Sequence, residues 1–170
     1  HEIKIIASGK VYSGFSLVRT LAHGADLTNS ARAFMFSLGC IQALKCNSNH
    51  CPVGVATTNP ALMKGLVPSQ KSDRVENYHK ETIQSLSEML GAIGLQSPEE
   101  LRPWHVLHRT SPTETKHYGE LYDFLDSGEL LQEPLPDDYR RACHAASPDT
   151  FAHVDHALAR HGQNNHATNG

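Results

Sequence analysis

The chain has 170 residues, 39% hydrophobic and 19% charged, with a formal net charge of −3 and a mean hydropathy of −0.42. That length holds one domain of ordinary size with its own core, and the acid excess argues against a nucleic-acid or polybasic membrane surface. No apolar run approaches the roughly 20 residues of a membrane span, and with no signal peptide in view the expected setting is a reducing cytoplasm.

His1 stands where an initiator Met would be, inside what reads as a strand, so the expectation is a fragment whose true N-terminus lies upstream. Glu2 to Ala7 (EIKIIA) is a short apolar run with β-branched isoleucines that stops at Ser8-Gly9, the pattern of a strand entering a turn. From Ser13 to Ala22, Phe15, Val18 and Leu21 recur every three residues and predict one inward-facing stripe, with Gly24 at the helix end. Ala25 to Thr28 is a second strand candidate. Asn29 or Ser30 is placed to cap a helix carrying Phe34, Met35, Phe36 and Leu38. Two β-turn-α units in tandem predict α/β architecture with a parallel sheet, open or closed into a barrel.

Both strand ends carry similar chemistry. Ser8-Gly9-Lys10 offers backbone N–H groups, a hydroxyl and an ammonium, and Asn29-Ser30-Ala31-Arg32 offers a helix N-terminus. Either loop alone reads as ordinary turn and cap residues, whereas two neighbouring loops of this kind make a phosphate cradle.

The stretch Gly39 to Thr57, GCIQALKCNSNHCPVGVAT, then sets Cys40, Cys46 and Cys51 in the spacing C-x5-C-x4-C with Pro52 after the last. A helical start over Cys40 to Leu44 followed by the polar loop Lys45 to His50 would fold three sulfurs towards one point. An iron–sulfur cluster on three cysteines fits the count. Zinc remains open, although no pair of C-x2-C or C-x4-C pairs is present and His50, beside Cys51, is awkward as a fourth ligand. Three inert buried thiols also remain open. A disulfide framework fits poorly, because the fourth cysteine, Cys143, is far away.

After Pro60 the pattern changes. Residues 61–73 read as loop. Arg74 to Ile93 is the strongest helix, with Val75, Tyr78, Thr82, Ile83, Leu86, Met89, Leu90 and Ile93 on one stripe and Gly94 at its end. Ser97-Pro98-Glu99-Glu100 reads as a capping box opening a short helix through Leu101. Trp104 reads as a packed aromatic. Tyr118, Leu121, Tyr122 and Leu125 make a helical stripe that stops near Gly128, and Asp137 to Ala145 a last short helix. This half reads as helical packing without chemistry of its own. The polar tail with His153, His156, His161 and His166 reads as solvated.

In ASGKVYSG, HGADLTNSARAFMFSLGC and CNSNHCPVGVAT, and more loosely in RVENYHKETIQSLSEMLGAIGL with its following SPEEL, the chain resembles the FMN-binding glutamate synthase family. The resemblance implies a (β/α)8 TIM-type barrel of which residues 1–60 hold the last two units and an iron–sulfur loop. Residues 61–151 would be a helical extension, whereas 152–170 carry no likeness and are expected from their polar composition to be a disordered tail. It further implies that Ser8, Gly9 and Lys10, with Asn29, Ser30 and Ala31, bind the FMN phosphate, and that Cys40, Cys46 and Cys51 ligate a [3Fe–4S] cluster close to the flavin. In the family, electrons pass through the cluster to FMN, and hydride transfer to 2-iminoglutarate, formed from 2-oxoglutarate and ammonia, gives glutamate. The implied partners are 2-oxoglutarate, glutamine or ammonia, the remaining N-terminal barrel units, and an electron donor, either ferredoxin or an NAD(P)H-oxidising subunit. Where the family pattern leads one to expect glutamine after CPVGVAT, this chain has Thr58. Two other functions compete: a non-catalytic flavin and iron–sulfur electron-transfer relative, and a zinc-binding interaction module.

Overall fold

A computed structural model describes residues 3–146. They fall into two compact units, one running to Asp123 and the other beginning at Phe124. In the first, β1 (Ile6–Ser8) and β2 (Leu27–Asn29) pair in parallel, with Ile6 opposite Leu27, Ala7 opposite Thr28 and Ser8 opposite Asn29. Both strands start later than their apolar runs suggest. The cause is Asp26, whose carboxylate accepts from the Ile5 N–H at 2.8 Å and from the Lys4 ammonium at 3.3 Å, taking the place of a ladder partner.

Helix α1 (Gly14–Ala22) links the strands, which makes one βαβ unit. Ser13 caps it: its Oγ accepts from the Ser16 N–H at 3.2 Å, while Ser16 Oγ accepts from the Ser13 N–H at 2.8 Å. Gly24, at φ +104°, ends the segment in a conformation that other residues resist. The inward stripe differs from the one expected. Gly14, Leu17, Val18 and Ala22 are buried and Leu21 packs against the core, whereas Phe15 is 52% exposed. Strict threes drift around a helix of 3.6 residues per turn, and the observed spacing does not.

Helix α2 (Arg32–Ser37) starts from Ala31 with no side-chain cap. Neither Asn29 nor Ser30 caps it: the helix starts from the residue after them, and the Ser30 hydroxyl is turned to the Val11 carbonyl, to which it donates at 2.6 Å. A single helical turn, α3 (Pro60–Met63), and then α4 (Pro68–Ile93) come next, so α4 begins six residues before the expected Arg74. Pro68 suits the first helical position, and the polar residues after it face solvent, which hides that first turn and a half from an apolar-stripe search. Gly94 ends α4 in the left-handed conformation as expected. Leu86 and Leu90 of α4 join Val11, Leu17, Val18, Ala22, Leu101, Val106 and Tyr118 in the core. Helices α1 and α4 approach so closely that a Cβ on Gly14 would lie 2.8 Å from the Leu86 nitrogen.

The expected short helix through Leu101 is two 3-10 turns, Pro98–Glu100 and Pro103–His105. The segment beyond is not all helical: β3 (Leu107–Ser111) and β4 (Glu114–His117) form an antiparallel hairpin. The stripe from Tyr118 yields one turn, α5 (Tyr118–Leu121), with Tyr118 buried and stacked on His23 at 4.5 Å. Trp104 is 57% exposed rather than packed. In the second unit α6 spans Asp137–Ala145, as expected. Of the tail, residues 147–170 lie outside the described residues. Among the described residues no helix is long and apolar enough to cross a membrane.

Candidate functional site

The register of the sheet brings the two candidate loops together. Ser8 and Asn29 are paired residues at the carboxyl ends of adjacent parallel strands, so the loops leaving them emerge side by side. After Ser8 the chain turns through Gly9 at φ +104° and Lys10 at φ +55°, two left-handed residues in succession. A Cβ on Gly9 would meet no atom within 4 Å, so the turn is open on that face. The Ser30–Val11 hydrogen bond ties the second loop to the first. Ser8, Gly9, Lys10, Asn29, Ser30 and Ala31 are therefore neighbours through the sheet and this bond.

The charge pattern around them is one-sided. From Ser8 to Ser72 the only acidic side chain is Asp26, against six cationic ones, Lys10, Arg19, Arg32, Lys45, Lys64 and Lys71. Asp26 precedes β2 at the amino end of the sheet, where it pairs with Lys4. The carboxyl end thus faces an approaching anion without a neighbouring carboxylate from its own stretch. This composition was a signal available in the sequence.

Helix α2 delivers the chain to the cysteines. The Cys40 N–H donates to Met35 O at 3.0 Å, and Gly39, at φ +100°, lies under the Lys71 ammonium, which would stand 3.0 Å from a Cβ there. The expected helical start over Cys40 to Leu44 is absent, because Gln42 and Leu44 are both left-handed at φ +55°. The Gln42 N–H is directed at Cys40 Sγ at 3.5 Å. The loop over Lys45 to His50 is as expected, with Ser48 N–H and Oγ both donating to Lys45 O and His50 Nδ1 donating to Ser48 O at 2.6 Å.

The three sulfurs are not alike. Cys40 is half-buried, Cys46 exposed and Cys51 only 7% exposed, and none is in a disulfide. The Cys51 thiol is held below its ordinary value of 9.0 by backbone N–H groups, that of Ala56 foremost, then Val53, Val55 and Gly54, against burial, which raises it. Donors converging on a buried sulfur favour the thiolate, the form that ligates metals. By donor chemistry the residues fit a thiolate-ligated group. Among the described residues, however, no three His, Cys, Asp or Glu side chains are gathered as a metal site.

Two braces that no sequence motif announces shape the Cys51 turn. One is Gly54, at φ +77°, where a Cβ would stand 2.4 Å from the Leu62 carbonyl oxygen, so the turn is seated on α3. The other is Asn49, at φ +62°, whose Oδ1 accepts from the Thr58 N–H at 2.7 Å and the Thr58 hydroxyl at 3.1 Å. The Thr57 hydroxyl lies 2.7 Å from Asn49 O and 3.0 Å from Oδ1 and accepts from the Asn59 N–H at 3.0 Å. Asn59 in turn caps α3 through the Ala61 N–H. Thr58, where glutamine was expected, thus belongs to the clasp.

Comparison with known proteins agrees with the residue pattern. A family model described as the conserved region in glutamate synthase matches residues 1–96. The glutamate synthase large subunit-like protein YerD of Bacillus subtilis is 44% identical over 108 residues, covering 64% of this chain and 21% of that protein. An archaeal glutamate synthase (NADPH) of Methanocaldococcus jannaschii is 38% identical over 102 residues, 60% of this chain and 20% of its own length. The glutamate synthase (NADPH) large chain of Bacillus subtilis is 32% identical over 134 residues, 78% of this chain and 8% of that one. The chain thus spans about a fifth of the length of the first two relatives and less of the third.

Proposed function

The chain belongs to the glutamate synthase family, and on that premise we propose that it forms the phosphate-binding and electron-entry part of a glutamate synthase-type oxidoreductase. Residues 1–60 would complete an FMN-binding (β/α)8 barrel begun by upstream units, with the helical stretch after it as an extension. Ser8, Gly9 and Lys10, with Asn29, Ser30 and Ala31, would hold the FMN phosphate, the backbone N–H groups and Lys10 meeting its charge. Cys40, Cys46 and Cys51 would ligate a [3Fe–4S] cluster in a reducing, cytoplasmic setting that keeps the thiols free. When bound, these groups supply hydride and single-electron transfer, by which the whole protein would convert 2-oxoglutarate and ammonia or glutamine nitrogen to glutamate. The chain's own residues fix where the phosphate end sits, keep carboxylates away from it, and aim backbone donors at the sulfurs. Electrons would arrive from ferredoxin or an NAD(P)H-oxidising subunit.

The observation that carries this reading is the pairing of Ser8 with Asn29, which puts both loops at one sheet end, with the cysteine stretch leaving α2 directly after the second. The test is anaerobic purification of the full-length protein, assay of iron, acid-labile sulfide and FMN, and turnover of 2-oxoglutarate with ammonia or glutamine and a reductant. Iron, sulfide, flavin and glutamate formation are expected together. Zinc without sulfide would overturn the cluster. Cluster and flavin without glutamate would favour a non-catalytic electron-transfer protein.

A further inference from the structure

We propose that the side-chain oxygen of Asn49 is a positioning group for the Cys51 sulfur, closing the turn whose backbone N–H groups face that atom. The inference rests on the reading of Cys51 as a ligand. The facing donors belong to residues 53–56. On one side this segment is seated on α3 through Gly54. On the other it runs into Thr57 and Thr58, whose two hydroxyls, together with the Thr58 N–H, all donate to Asn49. From Cys46 to Thr58 only Cys51 and Gly54 are buried, so apolar packing does little to hold the turn. Directed bonds do: the Asn49 amide oxygen accepts both Thr58 donors, and the Thr57 hydroxyl divides between that oxygen at 3.0 Å and the Asn49 backbone carbonyl at 2.7 Å.

The position makes two demands. Its φ of +62° favours Gly, Asn or Asp, and its bonds require an oxygen acceptor. Asn meets both, Asp would meet both, and Gly would meet only the first. That separates the acceptor from the backbone.

The experiment compares wild-type, Asn49→Gly, Asn49→Asp and Thr58→Val full-length protein, reconstituted anaerobically. It reads iron release to a chelator, the cluster's paramagnetic resonance signal and its midpoint potential. Loss of the shared acceptor should speed iron release by about tenfold in Asn49→Gly and displace its potential, with flavin content unchanged. Asn49→Asp should release iron within about twofold of wild type, and Thr58→Val, which keeps the N–H and loses the hydroxyl, should fall between. Wild-type behaviour of Asn49→Gly would overturn the inference, and so would equally fast release from Asn49→Gly and Asn49→Asp. Should Asn49→Gly fail to fold, Thr58→Val decides: an unchanged release rate overturns the proposal, and a faster one with retained flavin upholds it. Absence of iron and sulfide from the wild type would instead remove the ligand reading beneath it.

Discussion

The α1–α4 pair and the stretch from Cys40 to Asn59 lie in one compact unit and are held by opposite means. Between the helices, Val18, Ala22, Leu86 and Leu90 are all less than a tenth exposed, and Gly14 lets the backbones meet. That geometry is set by volume. In the cysteine stretch few residues are buried, and the course of the chain is set by left-handed residues and bonds to Asn49. Each such bond contributes about 1 kcal/mol, and the surrounding water competes for it. The packed pair therefore supplies stability, while the loop supplies donors at defined places and can open without unfolding its support.

The sharpest way to break this contrast is to damage each region in kind. Leu90→Ala leaves a cavity where α4 meets the core, and a cost of about 2–5 kcal/mol is expected. Urea titration of the full protein should show it as a lower midpoint. A cost below about 1 kcal/mol would mean the pair is not the structural base assigned to it. Gly54→Ala comes next, at about 1–3 kcal/mol, because alanine must adopt a left-handed φ and press on the Leu62 carbonyl. This cost should be local: amide exchange of residues 51–57 accelerates while the urea midpoint stays near wild type. A midpoint falling as far as in Leu90→Ala would show that the loop and the helix pair unfold as one.

The same division explains what was legible in the sequence. Elements built on apolar periodicity could be read: the βαβ order, α1, the core-facing half of α4, and Gly94 as its stop. Where polar groups decide, the reading drifted. Asp26 shortens both strands, the Ser30 hydroxyl turns to the Val11 carbonyl while α2 starts uncapped, and the first turns of α4 are too polar to show a stripe. The hairpin Leu107–Ser111/Glu114–His117 was missed because most of its side chains are exposed, so no buried face repeats every second residue. At the candidate site, residue types and spacing marked the loops and the cysteines. The clasp at Asn49 needs residues nine positions apart to meet, and no local pattern announces that.

The smallest expected effect concerns the far end of the same strands and serves as a control. Asp26 is held below its ordinary value of 3.8, first by the Ile5 N–H and then by Lys4. A carboxyl depressed in the folded state binds fewer protons there than in the unfolded chain. Its stabilisation is thus complete above the ordinary value and is lost as pH falls through the lower, folded value. Asp26→Asn should lower the urea midpoint slightly at about pH 7, where the stabilisation is complete, and flatten the decline towards about pH 3, so that the two proteins converge in acid, because asparagine does not titrate there. An acid decline as steep as in wild type would exclude Asp26 as its source. Since Asp26 lies at the amino end of the sheet, the substitution should leave flavin and iron content intact. A parallel loss of either would mean that the two ends of this short sheet are coupled, and that the candidate site draws its geometry from more than its own loops.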